Sequence, residues 1–401
     1  MLIHSWRWFG PEDRITLEQI VQTGAESIVT ALHDLPAGEV WTQEGIRERK
    51  KIIKDAGLNW SVVESVPVHE DIKKRTGRYR EYTENFNQTL ANLGNEGIPV
   101  VCYNFMAALD WSRTDLKFKF RDGSESLYFN FIHFAAIDLF ILRREDSESS
   151  YPPDVRAKAE EFFNRLDQAT RENLKNTFLL GFPGSGESFT LEQVLERIKG
   201  YQGIDKDAFR SNLTHFLREV VPVAEKAGIR LAIHPDDPPW PLMGMPRVMS
   251  TLDDAEFIIN AVDSPSNGIT FCTGSLGAAY TNDLPDMVGR LAHRINFAHL
   301  RNVSRDEELN FHEENIFNGD VDMYRIMKAL IKEDIRRTGM DGDEAGIPLR
   351  PDHGAQLLGD LQESNYPGYS LYGRMKNLAE IRGLEIGIRN SLEDSADNKL
   401  K

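Results

Sequence analysis

The sequence predicts one α/β domain, a (β/α)₈ barrel or TIM barrel, over residues 1–401. Short apolar runs alternate with longer amphipathic segments, which is the pattern of parallel strands joined by helices. We count eight such runs, the number of strands that closes a barrel of this kind. The last four runs each end in a side chain that can bind a metal ion, as expected where the carboxyl ends of barrel strands build one shared site.

The first four predicted strands are apolar runs, and the first three follow segments with helical spacing. Gly24, Gly57 and Gly94 stand at the ends of those helices, where glycine readily terminates a helix. These strands are predicted at residues 27–32, 60–66, 98–105 and 177–182.

The other four predicted strands are separated by helices such as the amphipathic segment at residues 209–228. Their limits are residues 229–234, 269–272, 295–299 and 347–352. The residues at their carboxyl ends are His234, Cys272, His299 and Asp352.

The interval between the third and fourth predicted strands, about seventy residues, is too long for one connection of a short loop and a helix. Within it, apolar and polar residues alternate on both sides of Asp122-Gly123, which is a strong signal for a β-hairpin. Helices are predicted to follow from about Phe131 and from about Pro153. We therefore expect a hairpin-plus-helix insertion at residues 106–175, on the side of the metal-binding residues. The polar stretch at residues 391–401 predicts a disordered tail.

The composition excludes several classes of protein. With 40% hydrophobic and 27% charged residues, the 401-residue chain can bury a core and is not a disordered protein. Its formal net charge of −16 argues against nucleic-acid and anionic membrane partners, because both are bound through clustered Lys and Arg. The simplest explanation of the acidity is solubility.

The start of the chain carries charges from Arg7 onward, so we expect neither a signal peptide nor a membrane anchor there. No run reaches the roughly 18 uncharged apolar residues that a membrane span requires. The two cysteines, Cys102 and Cys272, lie inside apolar runs and form no disulfide framework. We therefore expect a cytoplasmic protein.

Each of the four strand-end residues, taken singly, is more simply a buried core side chain than a metal ligand. Their joint placement at the ends of separate strands favours a metal site. Cys102 is expected to be a core residue. His33, which follows the first predicted strand, and Asn104, which lies in the third, are expected to line the same cavity.

Several ordered stretches resemble mannonate dehydratase, among them HPDDPP, RPDHG, GDVDMY, WRWFGPED, TFCTGS and NFAHLRN. They occur in the order of that family and extend from Trp6 to about Arg389, which is essentially the whole chain. The match is therefore much more specific than any single short motif.

The resemblance implies a xylose-isomerase-like, metal-dependent barrel that dehydrates D-mannonate to 2-keto-3-deoxy-D-gluconate in hexuronate (glucuronate) catabolism. It implies one Mn²⁺ or Fe²⁺ ion per chain. It places the acid/base pair on His353 and Tyr369. It also implies that the metal ligands are His234, Cys272, His299 and Asp352.

Dehydration of a sugar acid needs a positive centre, a base and an acid. Removing the C2 hydrogen creates charge beside a carboxylate, which a divalent metal can stabilise, and the C3 hydroxyl leaves more easily when an acid supplies a proton. Histidine titrates near neutrality and tyrosine near a pKa of about 10, so His353 and Tyr369 suit proton transfer, with their two roles unassigned. The structural alternatives are that His353 orients Asp352 and that Tyr369 packs in a turn.

An arginine is expected to bind the substrate carboxylate, because its planar guanidinium meets two oxygens at once. Arg301, just past His299, and Arg7, between two tryptophans, are the leading candidates, and Arg350 is the third. An ion pair within the protein is the alternative for each.

The identity of the metal is where two arguments differ. Thiolate and imidazole ligands suit Zn²⁺, whereas the resemblance implies Mn²⁺ or Fe²⁺. We follow the resemblance, because the availability of a metal in the cell can outweigh intrinsic affinity.

Other classes of protein remain as alternatives. A metal-dependent sugar isomerase or epimerase on the same barrel would move a proton without losing water, and an endonuclease would need a basic groove. A non-catalytic sugar-acid binding protein or a structural zinc protein would saturate its metal with four ligands. The expected partners are a small sugar acid, neither nucleic acid nor membrane, and further copies of this chain in a homo-oligomer, most simply a dimer.

Overall fold

A closed barrel of eight parallel strands forms the centre of the computed structural model, which describes residues 1–181, 189–340 and 346–397. Each strand pairs with its neighbours in chain order, and the first pairs with the eighth through Ile3–Pro348 and His4–Leu349. The predicted fold class is therefore confirmed. The barrel strands are Ile3–Arg7, Ser27–Thr30, Asn59–Glu64, Val100–Tyr103, Arg230–Ile233, Asn267–Cys272, Ile295–Leu300 and Pro348–Pro351.

The prediction of a strand at residues 177–182 is wrong. Thr177 and Phe178 belong to the helix Gln168–Leu179, whose buried residues Leu174, Thr177 and Phe178 have the three- and four-residue spacing of a helix face. Residue 182 lies outside the described residues. A short apolar run is compatible with a strand or with part of a helix. Here it forms the end of a longer amphipathic helix.

The first barrel strand, Ile3–Arg7, was missing from the predicted set. Its sequence, IHSWR, mixes polar and apolar side chains and so contains no apolar run. All of its residues from His4 to Arg7 are nevertheless buried, because the polar side chains find partners inside the protein. The insertion consequently follows the fourth barrel strand and not the third.

Helices surround the barrel and cover its outer face. The helix Lys206–Lys226 illustrates the pattern, since Asp205 caps its first turn and its buried side chains follow a helical period. The helices of the barrel layer are Leu17–Gln22, Gln43–Asp55, Glu70–Lys74, Tyr79–Asn95, Leu191–Lys199, Lys206–Lys226, Leu252–Ala261, Thr273–Ala278, Leu284–Leu291, Met323–Met340 and Leu371–Asp397. None of the helices in the described ranges has the length and apolar character needed to cross a bilayer.

The insertion contains the predicted hairpin and helices. Strands Asp115–Lys119 and Glu125–Phe129 are joined through Asp122-Gly123, where Gly123 has a φ of +87°. The α-helices that follow are Phe131–Ala136, Pro153–Arg165 and Gln168–Leu179, and a π-helical segment, Ile137–Leu142, extends the first of them. The starts at Phe131 and Pro153 agree with the prediction.

An antiparallel sheet of four strands, here called the outer sheet, joins the insertion to the loop after the seventh barrel strand. Its second hairpin, Asn302–Arg305 with Phe311–Glu314, was not predicted. Phe311 pairs with Phe129 of the insertion hairpin, and their rings stack with centroids 5.6 Å apart. Since both hairpins leave the carboxyl ends of barrel strands, the outer sheet lies on the predicted side of the barrel.

The interior of the barrel is packed with small and branched side chains, together with one large ring: Val29, Val62, Val100, Cys102, Ala232 and Phe297. Cys102 is therefore a core residue, as predicted. Burial raises the pKa of its thiol, which keeps the sulfur protonated and inert.

The C-terminal helix, Leu371–Asp397, continues through residues 391–397, for which the composition predicts disorder. That part of the prediction is wrong, because the helix that packs on the barrel propagates into the polar segment one hydrogen bond at a time. Residues 398–401 of the predicted tail lie outside the described residues.

Candidate active site

The four predicted metal ligands lie at the carboxyl ends of the fifth to eighth barrel strands. Cys272 is the last residue of its strand and pairs with His299 of the seventh strand. On its other side, His299 pairs with Arg350 of the eighth strand. His234 and Asp352 follow their strands by one residue, and their backbone N–H groups donate to Tyr103 and Leu300. The β/α repeat thus brings side chains from distant parts of the sequence to one end of the barrel.

These four side chains lie next to one another. His234 Nε2 lies 3.1 Å from His299 Nδ1, and His299 Nδ1 lies 3.5 Å from Asp352 Oδ1. Cys272 Sγ lies 3.4 Å from Asp352 Oδ2. Ligand atoms of His234, Cys272 and His299 all fall within 4.8 Å of one another. Asp352 is not part of this group of three, but it contacts two of its members, His299 and Cys272.

The hydrogen bonds around His234 fit metal binding. Its Nδ1 lies 2.7 Å from the carbonyl oxygen of Pro235, which can only accept, so the ring proton belongs on Nδ1. The lone pair on Nε2 consequently points toward His299 Nδ1. Two imidazole nitrogens and a thiol, with a carboxylate beside them, form a donor set that suits a divalent transition metal.

His353 and Tyr369 stand beside this cluster. Their rings meet edge to face with centroids 5.0 Å apart; His353 is buried and Tyr369 is half-buried. His353 Nδ1 lies 2.8 Å from Glu313 Oε2. Gly368 has a φ of +82°, and a Cβ atom there would lie 2.7 Å from His353 Cγ, so glycine lets the Tyr369 turn approach the imidazole closely.

A cavity of about 300 Å³ opens over these residues. Its size suits a small ligand and its wall combines polar with aromatic side chains. Its lining comprises Phe9, Glu64, Asn104, Asp110, Trp111, Leu180, Gly181, His234, Asp237, Arg350, Asp352, His353, Tyr366, Pro367 and Tyr369. Cys272 and His299 are fully buried in the adjoining end of the barrel.

The three predicted substrate arginines have different surroundings. Arg350 lines the cavity and pairs with Glu64 through two hydrogen bonds of 2.9 and 3.1 Å. Arg301 pairs with Asp237 and Glu313 at 2.8 and 2.6 Å and is not among the lining residues. Arg7 donates to the backbone oxygen of Glu64 and is also absent from the lining.

Of the two other predicted lining residues, Asn104 lies in the cavity wall, where it donates to Asp110 Oδ2 at 3.1 Å. His33 does not line the cavity. It packs behind Phe9 with ring centroids 5.7 Å apart. Burial and the neighbouring Arg7 and Arg49 lower the pKa of His33 to about 3, so the imidazole is neutral at physiological pH.

The carboxylates of Glu64 and Asp352 are ionised. Burial alone would raise the pKa of Glu64, but Arg350, His299 and Arg7 hold it well below the usual value. Likewise, His353, Arg301 and Arg350 lower the pKa of Asp352 against the effect of burial.

The ion pairs of the site balance in charge. Four arginines, Arg7, Arg113, Arg301 and Arg350, face four carboxylates, Glu64, Asp237, Glu313 and Asp352. Because the arginines are already neutralised, this set has no surplus positive charge for an anionic ligand. A bound divalent cation would supply that charge.

Sequence reasoning missed several residues of this site. Glu64 ends the third barrel strand, so the rule that found the metal ligands would have found it too. Asp237 stands in the HPDD stretch beside His234. Arg113 and Glu313 belong to the region of the outer sheet, and no local pattern marks Glu313 as a neighbour of His353 or Arg113 as a partner of Glu313.

Comparison with known proteins identifies the family of the chain. The family model described as D-mannonate dehydratase (UxuA) matches residues 2–395. Mannonate dehydratase of Marinomonas sp. (strain MWYL1) is 53% identical over 390 residues, which cover 97% of this chain and 100% of the relative. Mannonate dehydratase of Chromohalobacter salexigens is 51% identical over 387 residues, which cover 96% of this chain and 98% of the relative.

A solved structure shows the same likeness in three dimensions. The crystal structure of mannonate dehydratase from Streptococcus suis serotype 2 superposes with a TM-score of 0.77 at 33% identity, covering 98% of this chain and 95% of that one. The family model and the alignments with the two relatives each cover nearly the whole sequence. The chain belongs to the mannonate dehydratase family, whose members are metal-dependent hydro-lyases.

Proposed function

We propose that this cavity dehydrates D-mannonate to 2-keto-3-deoxy-D-gluconate with the help of one divalent metal ion. The observation that carries the proposal is the convergence of His234, Cys272, His299 and Asp352 beside His353 and Tyr369. This arrangement joins a cation site to two proton-transfer groups in one cavity, which is what loss of water from a sugar acid requires.

His234, Cys272, His299 and Asp352 are the proposed metal ligands. When bound, the metal would act as a Lewis acid that stabilises the negative charge developing next to the substrate carboxylate. Mn²⁺ or Fe²⁺ is the proposed ion, and Zn²⁺ is the alternative that the thiolate and imidazole ligands favour. The charge balance of the surrounding ion pairs supports a role for the ion in binding the anionic substrate.

His353 is proposed to remove the C2 proton and Tyr369 to donate a proton to the departing C3 hydroxyl. Burial raises the pKa of Tyr369, although Arg350 opposes the effect, so its phenol holds a proton at neutral pH and suits the role of donor. His353 has Nδ1 next to a carboxylate, which leaves Nε2 to accept the proton.

Arg350 is the proposed contact for the substrate carboxylate, since it alone among the three candidates lines the cavity. Arg301 and Arg7 are proposed to organise the surrounding carboxylates. Asn104 is proposed to bind a substrate hydroxyl from the cavity wall. A homo-oligomeric state, most simply a dimer, and a cytoplasmic location remain predictions.

Product analysis tests the proposed reaction. Protein stripped with a chelator and resupplied with Mn²⁺ or Fe²⁺ should convert D-mannonate to a 2-keto-3-deoxy acid. Mass spectrometry should show that the product is lighter than the substrate by one water. The metal-free sample is the control. Release of an epimer or a keto isomer without loss of water would instead indicate the sugar isomerase or epimerase alternative, and unchanged D-mannonate under every divalent metal would refute both.

A further inference from the structure

His353 is held by a carboxylate that comes from the outer sheet. Glu313, in the strand Phe311–Glu314, places its two carboxylate oxygens 2.9 and 2.8 Å from His353 Nδ1. We propose that Glu313 is a positioning residue, which keeps the His353 proton on Nδ1 and aims Nε2 at the substrate. This inference rests on the proposed function of the site.

The proton arrangement at this contact follows from the donors and acceptors present. Arg301 Nη1 lies 3.0 Å from His353 Nδ1 and 2.6 Å from Glu313 Oε1. A guanidinium only donates, and Nδ1 cannot both accept from Arg301 and donate to Glu313. Since an ionised carboxylate accepts several hydrogen bonds, Glu313 accepts from both groups, and Nδ1 is the protonated nitrogen.

Glu313 is itself anchored from several directions. Arg113 donates to its Oε1 from Nε at 3.1 Å and from Nη2 at 2.7 Å, and Ser126 Oγ donates to its backbone oxygen at 2.8 Å. Although burial alone would raise the pKa of Glu313, Arg301, His353 and Arg113 lower it to about 2. The carboxylate is thus charged and has little freedom to turn away.

This geometry gives the insertion a part in the reaction. Arg113 lies just before the insertion hairpin, and Ser126 lies in its second strand. Both residues contact Glu313, which the other hairpin of the outer sheet carries. The outer sheet therefore connects the insertion to the imidazole that exchanges the proton.

A substitution of Glu313 by Gln isolates the role of the carboxylate. Glutamine has one acceptor oxygen, so it cannot accept from Nδ1 and two arginines as the carboxylate does, and its amide would face other donors. Loss of such a supporting group typically costs about 10- to 100-fold in activity. For Glu313→Gln we expect kcat to fall by this factor, with less than about a 3-fold change in KM and with unchanged metal content.

The matched control is Glu385→Gln. Glu385 is also buried and also bonds a histidine, His4 Nε2, at 2.7 Å, but that histidine lies in the first barrel strand and outside the cavity lining. This variant should keep the wild-type kcat. If kcat fell equally in both variants, the effect of Glu313→Gln would come from the loss of a buried ion pair in general. That result would overturn the inference.

A double variant asks whether Glu313 acts through His353. Glu313→Gln should change the residual rate of His353→Asn by less than about 2-fold, because the group that Glu313 positions is already gone. The same 10- to 100-fold loss in both backgrounds would overturn the inference. So would loss of metal from Glu313→Gln, since Glu313 would then act on the metal ligands.

The wild-type protein offers a test that needs no Glu313 variant. In ¹⁵N NMR of histidine-labelled protein loaded with diamagnetic Zn²⁺, with the His353 signals assigned by their absence in His353→Asn, Nδ1 should carry the proton. An unprotonated Nδ1 would overturn the inference.

Two activity results distinguish failure of the inference from failure of the proposed function. Wild-type protein that leaves D-mannonate unchanged contradicts both. An active wild type together with an unaffected Glu313→Gln variant refutes the inference alone.

Discussion

Cys272 and His353 are neighbours in the site, but their contacts give them different expected roles. Cys272 Sγ faces Asp352 and belongs to the set of ligand atoms that lie within 4.8 Å of one another. His353 Nδ1 is engaged with Glu313, and the residue lines the cavity. One residue is therefore expected to hold the metal, and the other to move a proton.

Substitution separates these two roles. Cys272→Ala should lose bound metal, because a methyl group cannot replace a thiolate ligand. His353→Asn should keep the metal and lose about 10²- to 10⁴-fold in kcat, the usual contribution of a general acid or base. Elemental analysis and kcat measured on the same samples check both. Cys102→Ala, which alters the other buried cysteine, is the control and should retain metal. If His353→Asn lost as much metal as Cys272→Ala, His353 would be a structural partner of the ligands.

Among single residues, the sequence predicted those site residues that lie at the carboxyl ends of barrel strands. His234, Cys272, His299 and Asp352 each occupy the end of a barrel strand, so the fold itself determines that they meet. Arg301 also follows a strand, but its position said nothing about the carboxylates of Asp237 and Glu313 that neutralise it. Contacts between loops depend on their three-dimensional paths, which no local pattern encodes.

Among the elements, the insertion helix Phe131–Ala136 contains a pH-sensitive contact. His133 stacks on Phe162 with ring centroids 3.8 Å apart and an interplanar angle of 10°. Burial lowers the pKa of His133 from 6.5 to about 4, although Asp115 opposes the effect. The folded state therefore favours the neutral ring.

This shift predicts a loss of stability in mild acid. Between pH 6.5 and about 4 the unfolded state binds more protons at His133 than the folded state does, so the free energy of unfolding decreases as the pH falls through this range. His133→Phe keeps the stacking and removes the titration. Its melting temperature should consequently fall less than that of the wild type between pH 7 and pH 5, measured by thermal unfolding. An identical fall in both proteins would contradict the shifted pKa.

The elements also show why a residue pattern can mislead. Residues 177–179 look like part of a strand because Phe178 and Leu179 are apolar and threonine is common in strands, yet they continue the amphipathic face of Gln168–Leu179. Ile3–Arg7 looks unlike a strand because it contains His4 and Arg7, whose partners Glu385 and Glu64 are distant in sequence. A polar residue can be buried when tertiary structure supplies its partner, and the sequence of one segment does not reveal that partner.

For the whole molecule, the proposed metal site predicts that metal binding is linked to folding. The proposed ligands come from residues 234 to 352 and are adjacent only in the closed barrel, so a metal should bind the folded state far better than the unfolded chain. At a free metal concentration about 100 times the Kd, this linkage adds about 2.7 kcal/mol to the free energy of unfolding.

Thermal unfolding with and without metal measures this linkage. We expect Mn²⁺ to raise the melting temperature of chelator-treated protein by about 3 to 5 °C under those conditions. Cys272→Ala should show no comparable rise. A rise of equal size in both proteins would indicate that the metal binds elsewhere in the molecule.

The overall architecture was predictable because repetition makes the signal strong: seven of the eight predicted strands coincide with barrel strands. The outer sheet was only half predictable. The Asp122-Gly123 turn marks its first hairpin, whereas the pairing of Phe311 with Phe129 joins segments far apart in the chain. The neighbours of His353 depend on that pairing, so they could be recognised only in the folded structure.

The central claim is that His234, Cys272, His299 and Asp352 together bind one divalent ion next to His353. Anomalous diffraction from a crystal of the Mn²⁺-loaded protein tests it most directly. The account predicts a single strong anomalous peak at about 2.0 to 2.6 Å from a ligand atom of each of the four residues. A peak at any other position in the chain, or a site at which two or more of these side chains point away from the ion, would contradict it.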